Sequence, residues 1–198
     1  MTVLDSVIYN IIIKIMIFIL IINMHAVFGY GSLCDLSTLR SDEKIYRPLK
    51  NTMNIGILYK YKIRLNKSAW NGKYSYCNIE YTGDDSDYVY GIILYLTQKE
   101  LEAVNRREGY ISDNNPENSY HRHVRTVVTP TGNEDVFVYI ANPVQTSKAD
   151  LEITPAYARH IITGLKFLET HLFFKDRDYF TKMERYYRDL IATVCHLV

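Results

Sequence analysis

The chain is 198 residues long, with 23 basic and 22 acidic side chains, a formal net charge of +1 and 47% apolar residues. A balance this even supplies no field to recruit nucleic acid or an anionic membrane, and the about 175 residues beyond an apolar N-terminal run suit one domain with a substantial core. The cysteines Cys34, Cys77 and Cys195 are odd in number and lack C-x-x-C spacing, which argues against a disulfide framework or a zinc site and for reduced thiols in a cytoplasmic protein.

The N-terminal run, residues 7–24, is broken by Asn10, Lys14 and Asn23, and its uninterrupted part, Ile15 to Ile22, is only eight residues long. A spanning helix needs about 20 apolar residues, and a charge near its centre costs about 2.5 to 3.5 kcal/mol. A signal peptide needs a positive start, whereas Asp5 is the only charge before Lys14. Residues 1–24 therefore read as an upstream extension with the working start at Met24. A weak membrane anchor through residues 7–24 and a secretion signal are the less favoured alternatives, and residues 25–198 form the domain.

Beyond Met24 strands come first. "AVFGY" is a short buried strand, and "LYKYKIRL" alternates Tyr59, Tyr61, Ile63 and Leu65 with Lys60, Lys62 and Arg64, the period of a half-buried strand. "YSYCNIEY" and "YVYGIILYL" follow around the turn-rich "TGDDSD", and "YHRHVRTVVT" and "DVFVYIA" flank "PTGNE" as a hairpin. About six strands without regular βαβ units predict an α+β fold, a small mixed or largely antiparallel sheet able to curl into a barrel. Thr97 with Glu100 forms a capping box for a helix that stops at Gly109. A second helix starts at Thr154 and Pro155, with Tyr157, Ile161, Leu165, Leu168 and Leu172 on one apolar stripe. Tyr179, Met183, Tyr186, Leu190 and Val194 mark a third.

Two features point to chemistry. In the turn from Gly29 to Leu33 the glycines let the backbone bend and present N–H groups to an anionic oxygen, and a side chain at Gly31 would fill the ligand's space. Taken alone, a glycine turn linking two elements serves as well. Glu108 falls at i+7 and i+4 from the apolar Leu101 and Val104, on the inward face of the capped helix. Desolvation there and the negative end of the helix dipole disfavour its ionised form, as suits a group that exchanges protons near pH 7. The alternative is a last-turn glutamate in water or paired with Arg106 or Arg107.

"VFGYGSL", "VYGIILYLTQKELEAVNRREGY", "YHRHVRTVV" and "TPAYARHIITG", spread in order from Val27 to Gly164, resemble the landmarks of the γ-glutamylcyclotransferase family and its AIG2-like relatives. That resemblance implies a small mixed β-barrel with surrounding helices. It implies that Val27, Phe28, Gly29, Tyr30, Gly31 and Ser32, with Leu33 closing the turn, hold the α-amino acid end of a small-molecule γ-glutamyl substrate. It makes Glu108 the catalytic acid/base and Tyr120 and Tyr157 substrate-contacting tyrosines. On the residues alone, Tyr120 reads as a core aromatic opening a strand and Tyr157 as the start of an apolar stripe. Leu33 stands where some members have asparagine, and eleven residues separate Glu108 from Tyr120, longer than in compact members. The "FGYGSL" and "RREGY" segments are shared with a glutathione-specific branch, but its arginine-glycine and P-G-R segments are missing, which favours the general family.

The reaction so implied releases 5-oxoproline from a γ-glutamyl amide, with no metal and no organic cofactor. Its nucleophile is the substrate's own α-amino nitrogen, so the protein supplies an acid/base, oxyanion donors and a curled binding site. Three competing readings remain: a metal hydrolase built on His121 and His123, for which no third ligand is evident; sulfur chemistry at Cys34; and a non-catalytic ligand- or protein-binding module on the same scaffold. No oligomeric state follows from the sequence.

Overall fold

The computed structural model describes residues 24–41, 53–69, 72–171 and 177–195, together with Tyr9 and Ile45; for residues 41, 177 and 189–195 the backbone alone is described. The apolar run of residues 7–24 lies outside this set apart from Tyr9 and Met24. No helix among the described residues is long and apolar enough to cross a membrane.

Seven strands are present among the described residues: β1 (His25–Gly29), β2 (Met53–Tyr59), β3 (Tyr61–Ser68), β4 (Ser75–Tyr81), β5 (Tyr88–Leu96), β6 (Tyr120–Thr129) and β7 (Gly132–Ala141). Five of them close a barrel in the order β1-β5-β2-β6-β7, and β3 and β4 form a separate two-stranded sheet. The barrel is mixed, because β1 runs antiparallel to β5 (Val27 opposite Leu94) and parallel to β7 (Val27 opposite Phe137). The near-continuous apolar run of β5 has a direct cause. From Val89 to Leu94 its side chains are buried on both faces, one turned into the barrel and the other covered, so the run does not alternate.

One expected strand is corrected. "LYKYKIRL" is divided at Lys60, which takes a left-handed φ of 67° and turns the chain from β2 into β3. That conformation, unusual for a side chain of this length, is held by the Lys60 N–H donating to the Asp87 carbonyl and its own carbonyl accepting from the Thr82 N–H, at 2.7 and 2.8 Å. Tyr59 therefore ends β2 at 43% exposure, while Tyr61 is buried in β3. Farther on, β3 carries one extra residue between Arg64 and Lys67 relative to β4, and Leu65, Asn66 and Lys67 are buried in succession.

Among the residues described from Met24 on, four α-helices surround the sheets: α1 (Leu36–Ser41), α2 (Gln98–Arg107), α3 (Pro155–His171) and α4 (Arg177–Cys195). Both halves of the capping box at Thr97 and Glu100 are made at the start of α2. The Thr154 hydroxyl accepts from the Tyr157 N–H at 3.2 Å to cap α3, with Pro155 as its first residue. Ala158, Ile161, Gly164, Leu165 and Leu168 form the buried face of α3. Gly164 is required by contact, since a Cβ there would lie 2.6 Å from the Cβ of Cys34; the helix thereby sits directly on the turn after β1. On α4 the expected stripe is offset by one position. Phe180 and Tyr187 are the buried pair, with Tyr179, Met183 and Tyr186 packed beside them, and the side chains of Leu190 and Val194 lie outside the described set.

Candidate active site

The site is assembled from the end of β1, the end of α2, the start of β6, the start of α3 and the small sheet. After β1, Tyr30 leaves the barrel and its hydroxyl donates to the Tyr139 carbonyl at 2.6 Å. A single 3-10 turn, Gly31–Cys34, follows. The Leu33 N–H donates to the Tyr30 carbonyl and the Asp35 N–H to the Ser32 carbonyl, whereas the N–H groups of Gly31 and Ser32 precede any acceptor within the turn. Gly31 has φ 55°, and a Cβ there would lie 2.8 Å from both the Cβ and Sγ of Cys77. The space beside Gly31 is thus occupied by Cys77, contrary to the expectation that it opens to a ligand. The glycine is required for the turn to pack on β4.

Glu108 is the residue directly after α2, its φ and ψ of −80° and 1° lying between helix and strand, and Gly109 then reverses the chain at φ 60°. Its N–H still donates to the Val104 carbonyl, so the last helical bond fixes where its side chain leaves the helix. The side chain is only 13% exposed, which excludes the frayed, fully solvated alternative; the Arg107 Nε lies 3.7 Å from its Oε1. Arg107 itself is committed to the turn, donating from Nη1 to the Thr38 hydroxyl at 2.7 Å and from Nη2 to the Ser32 hydroxyl at 3.3 Å. The end of α2 and the turn after β1 are joined through this guanidinium.

Tyr120 and Tyr157 hold the backbone of the same β4 residue, Cys77, through its two peptide groups. The Tyr120 hydroxyl donates to the Cys77 carbonyl at 2.7 Å, and the Tyr157 hydroxyl accepts from the Cys77 N–H at 2.9 Å. Tyr157 is also hydrogen-bonded to the Ser32 hydroxyl, and its ring meets that of Tyr76 edge-on at 5.1 Å. Burial first, and then nearby groups that include the charge of Glu108, push Tyr30, Tyr120, Tyr139 and Tyr157 well above the usual phenol range, so all four stay protonated.

Ser32, Thr38, Lys67, Tyr76, Arg107, Glu108, Ser119, Tyr120, Tyr157 and His160 line a half-open cavity of about 370 Å³. A much smaller recess of about 20 Å³ reaches Tyr30, Leu33, Cys77 and Tyr139, and shares Ser32, Glu108, Tyr120 and Tyr157 with it. Seven of the residues singled out from the sequence divide cleanly. Ser32, Glu108, Tyr120 and Tyr157 line the cavity and the recess; Tyr30 and Leu33 line the recess; Gly31 adjoins Cys77 behind them. Val27, Phe28 and Gly29 line neither. Val27 and Phe28 are fully buried in the barrel wall, where they hold the start of the turn.

Sequence reasoning missed Lys67, Thr38, Ser119, Tyr76 and His160. Lys67 had a signal, since it falls two residues beyond Leu65 on the parity of Tyr61, Ile63 and Leu65, the buried side of the alternation. The His160 Nδ1 pairs with the Asp35 carboxylate at 2.8 Å across 125 positions, a contact that only the docking of α3 on the turn creates.

The competing chemistries find little here. The Cys34 thiol donates to the Gly29 carbonyl at 3.2 Å, and burial pushes its pKa up to about 12, so it is no thiolate near neutrality. His121 and His123 have ring centroids 6.3 Å apart, and among the described residues no group of three His, Cys, Asp or Glu side chains is arranged to hold a metal ion. A second cavity of about 380 Å³, between β3, β5 and α4, contains none of the site residues expected from the sequence.

No protein-family model matches the chain, and no curated protein matches its sequence. Solved structures do match in fold. YkqA from Bacillus subtilis aligns with a TM-score of 0.65 at 18% identity, over 84% of this chain and 55% of YkqA, so the chain spans about half of that protein's length. A gamma-glutamyl cyclotransferase aligns with a TM-score of 0.61 at 16% identity, over 81% of this chain and 86% of its own. A yeast gamma-glutamyl cyclotransferase specific to glutathione aligns with a TM-score of 0.53 at 14% identity, over 85% and 97% of the two chains. The chain has the γ-glutamylcyclotransferase-like fold.

Proposed function

We propose that the chain is a cyclotransferase that converts a γ-glutamyl amide or dipeptide to 5-oxoproline and a free amine or amino acid. The observation that carries this reading is Glu108, a carboxylate largely withdrawn from water at the junction of the cavity and the turn after β1. The likeness of fold to gamma-glutamyl cyclotransferases supports it.

The chemistry fits the residue types. Glu108 takes a proton from the substrate's α-ammonium group, and the freed nitrogen forms a bond to the γ-carbonyl carbon, closing a five-membered ring. The resulting oxyanion is met by N–H groups of the turn. As the tetrahedral centre collapses, Glu108 returns the proton to the leaving nitrogen, the bond to that nitrogen breaks, and the ring nitrogen gives up its second proton, which the departing amine takes up to leave as an ammonium. No enzyme nucleophile is consumed. Holding the chain curled is worth roughly 7 to 11 kcal/mol in favourable intramolecular cases, and the cavity walled by Tyr76, Tyr120 and Tyr157 serves that purpose.

The test is 5-oxoproline release from a panel of γ-glutamyl dipeptides, γ-glutamyl-lysine conjugates and glutathione. Glu108→Gln keeps the size of the side chain but cannot accept the ammonium proton, so turnover should fall by roughly 10²- to 10⁴-fold while substrate binding survives. Equal turnover by Glu108→Gln and the parent would move the proton acceptor elsewhere. A parent that releases no 5-oxoproline from any member of the panel would leave a binding module.

A further inference from the structure

We propose that Lys67 determines specificity at this site by pairing with a carboxylate on the leaving group, so that γ-glutamyl amino acids and peptides are preferred over γ-glutamyl amines that lack one. The inference rests on the cyclotransferase reading for its reaction but on Lys67 itself for its chemistry.

Lys67 is 6% exposed, yet its side chain lines the cavity, with Nζ 5.7 Å from the centre of the Tyr120 ring and 6.0 Å from that of Tyr76. An ammonium group has three N–H donors, and here one is used, to the Ser68 carbonyl at 2.9 Å. Among the described residues no carboxylate forms an ion pair with it. Burial lowers the Lys67 pKa, and the charge of Glu108 only partly opposes this. A buried cation in that condition gains from a counter-anion in the cavity.

The other basic side chains on the wall are already engaged. Arg107 is spent on Thr38, Ser32 and Glu108, and His160 is held by Asp35. Lys67 follows an irregularity in the pairing of β3 with β4, in a run of three successive buried residues, Leu65, Asn66 and Lys67. A γ-glutamyl dipeptide complements this arrangement charge for charge. Its α-ammonium faces Glu108, its α-carboxylate meets the N–H groups of the turn, and the carboxylate of the departing residue remains for Lys67. A neutral leaving group would leave the ammonium desolvated without a partner, and a cationic one would be repelled.

The experiment compares γ-glutamyl-alanine with its C-terminal amide as substrates of the parent, Lys67→Met and Lys67→Arg. The parent should favour the acid by about tenfold to a hundredfold in kcat/KM, the scale of one charge-assisted hydrogen bond. Lys67→Met should bring that ratio close to one, and Lys67→Arg should keep its direction. A parent that turns over acid and amide alike overturns the proposal, and this arm needs no variant to fold. A Lys67→Met variant that loses both substrates equally also overturns it. If the parent releases no 5-oxoproline at all, the cyclotransferase reading fails separately. Calorimetric binding of the same two compounds then decides: tighter binding of the acid, lost in Lys67→Met, upholds carboxylate recognition, and equal binding ends it.

Discussion

Asp35 stands where the turn after β1 meets the helix that covers it, and it is 5% exposed. Its carboxylate accepts from the Ser37 N–H and hydroxyl at 3.0 and 2.6 Å, and from His160 at 2.8 Å. Burial pushes its pKa up, but the bonds from Ser37 and His160 together outweigh that and hold it below the ordinary carboxylate range. A carboxyl group whose folded pKa is depressed contributes stability that is present above its unfolded value, near pH 4, and is lost as pH falls through the lower folded value. Urea unfolding followed from pH 7 down to pH 3 should therefore show the parent losing stability more steeply below about pH 4 than Asp35→Asn, which keeps an acceptor for Ser37 but cannot titrate. Parallel acid limbs in the two proteins would show that Asp35 is not the group responsible. Part of this was visible in the sequence, for an aspartate directly before a helix, with serine two residues on, is an N-terminal capping pattern. His160 was not, because its partner is 125 residues away and is brought near only by the close approach of Gly164 to Cys34.

At the scale of elements, α2 matters because it delivers Glu108 and Arg107 together. Its start is held by the Thr97 hydroxyl, which accepts from the Glu100 N–H, while the Glu100 carboxylate accepts from the Thr97 N–H at 2.8 Å. Thr97→Ala should cost about 1 kcal/mol, read as a melting temperature lower by about 2 to 4 °C in a chain of this size. The C-terminal end of the helix is fixed independently by Arg107 on the turn, so kcat at 25 °C should be unchanged in the same variant. A fall in kcat at a temperature where the variant is fully folded would mean that the cap reaches the site. This helix was legible because its signals are local: a capping box, an apolar face and a stopping glycine. The passage from β2 to β3 was not. Lys60 looks like one more polar residue in a strict alternation, and its left-handed turn exists because Thr82 and Asp87, from the connection between β4 and β5, satisfy its peptide groups. The bulge before Lys67 was hidden for the same reason, since register belongs to a pair of strands and cannot be read from one.

At the scale of the molecule, alternation and turn residues announced a small β-rich domain, but barrel closure depends on β1 lying between β5 and β7, more than sixty and more than a hundred residues downstream. The parallel pairing with β7 leaves no local mark. It is nonetheless what carries the end of β1 to the recess beside the cavity, where Tyr30 bonds to Tyr139 of β7. The same topology bears on the chain's beginning. β1 opens at His25, and Val27 and Phe28 are completely buried between β5 and β7. A start just inside β1 would remove the strand that closes the barrel, whereas a start at Met24 keeps all of its pairs. A chain shortened to begin at Met24 should therefore unfold in a single cooperative transition, while one beginning at Gly29 should not fold. Thermal unfolding followed by circular dichroism checks both, and 5-oxoproline release from the γ-glutamyl panel checks that the site survives in the first. If the chain starting at Met24 fails to unfold cooperatively while the full chain does so, residues before Met24 take part in the fold, and the reading of residues 1–24 as an extension is wrong.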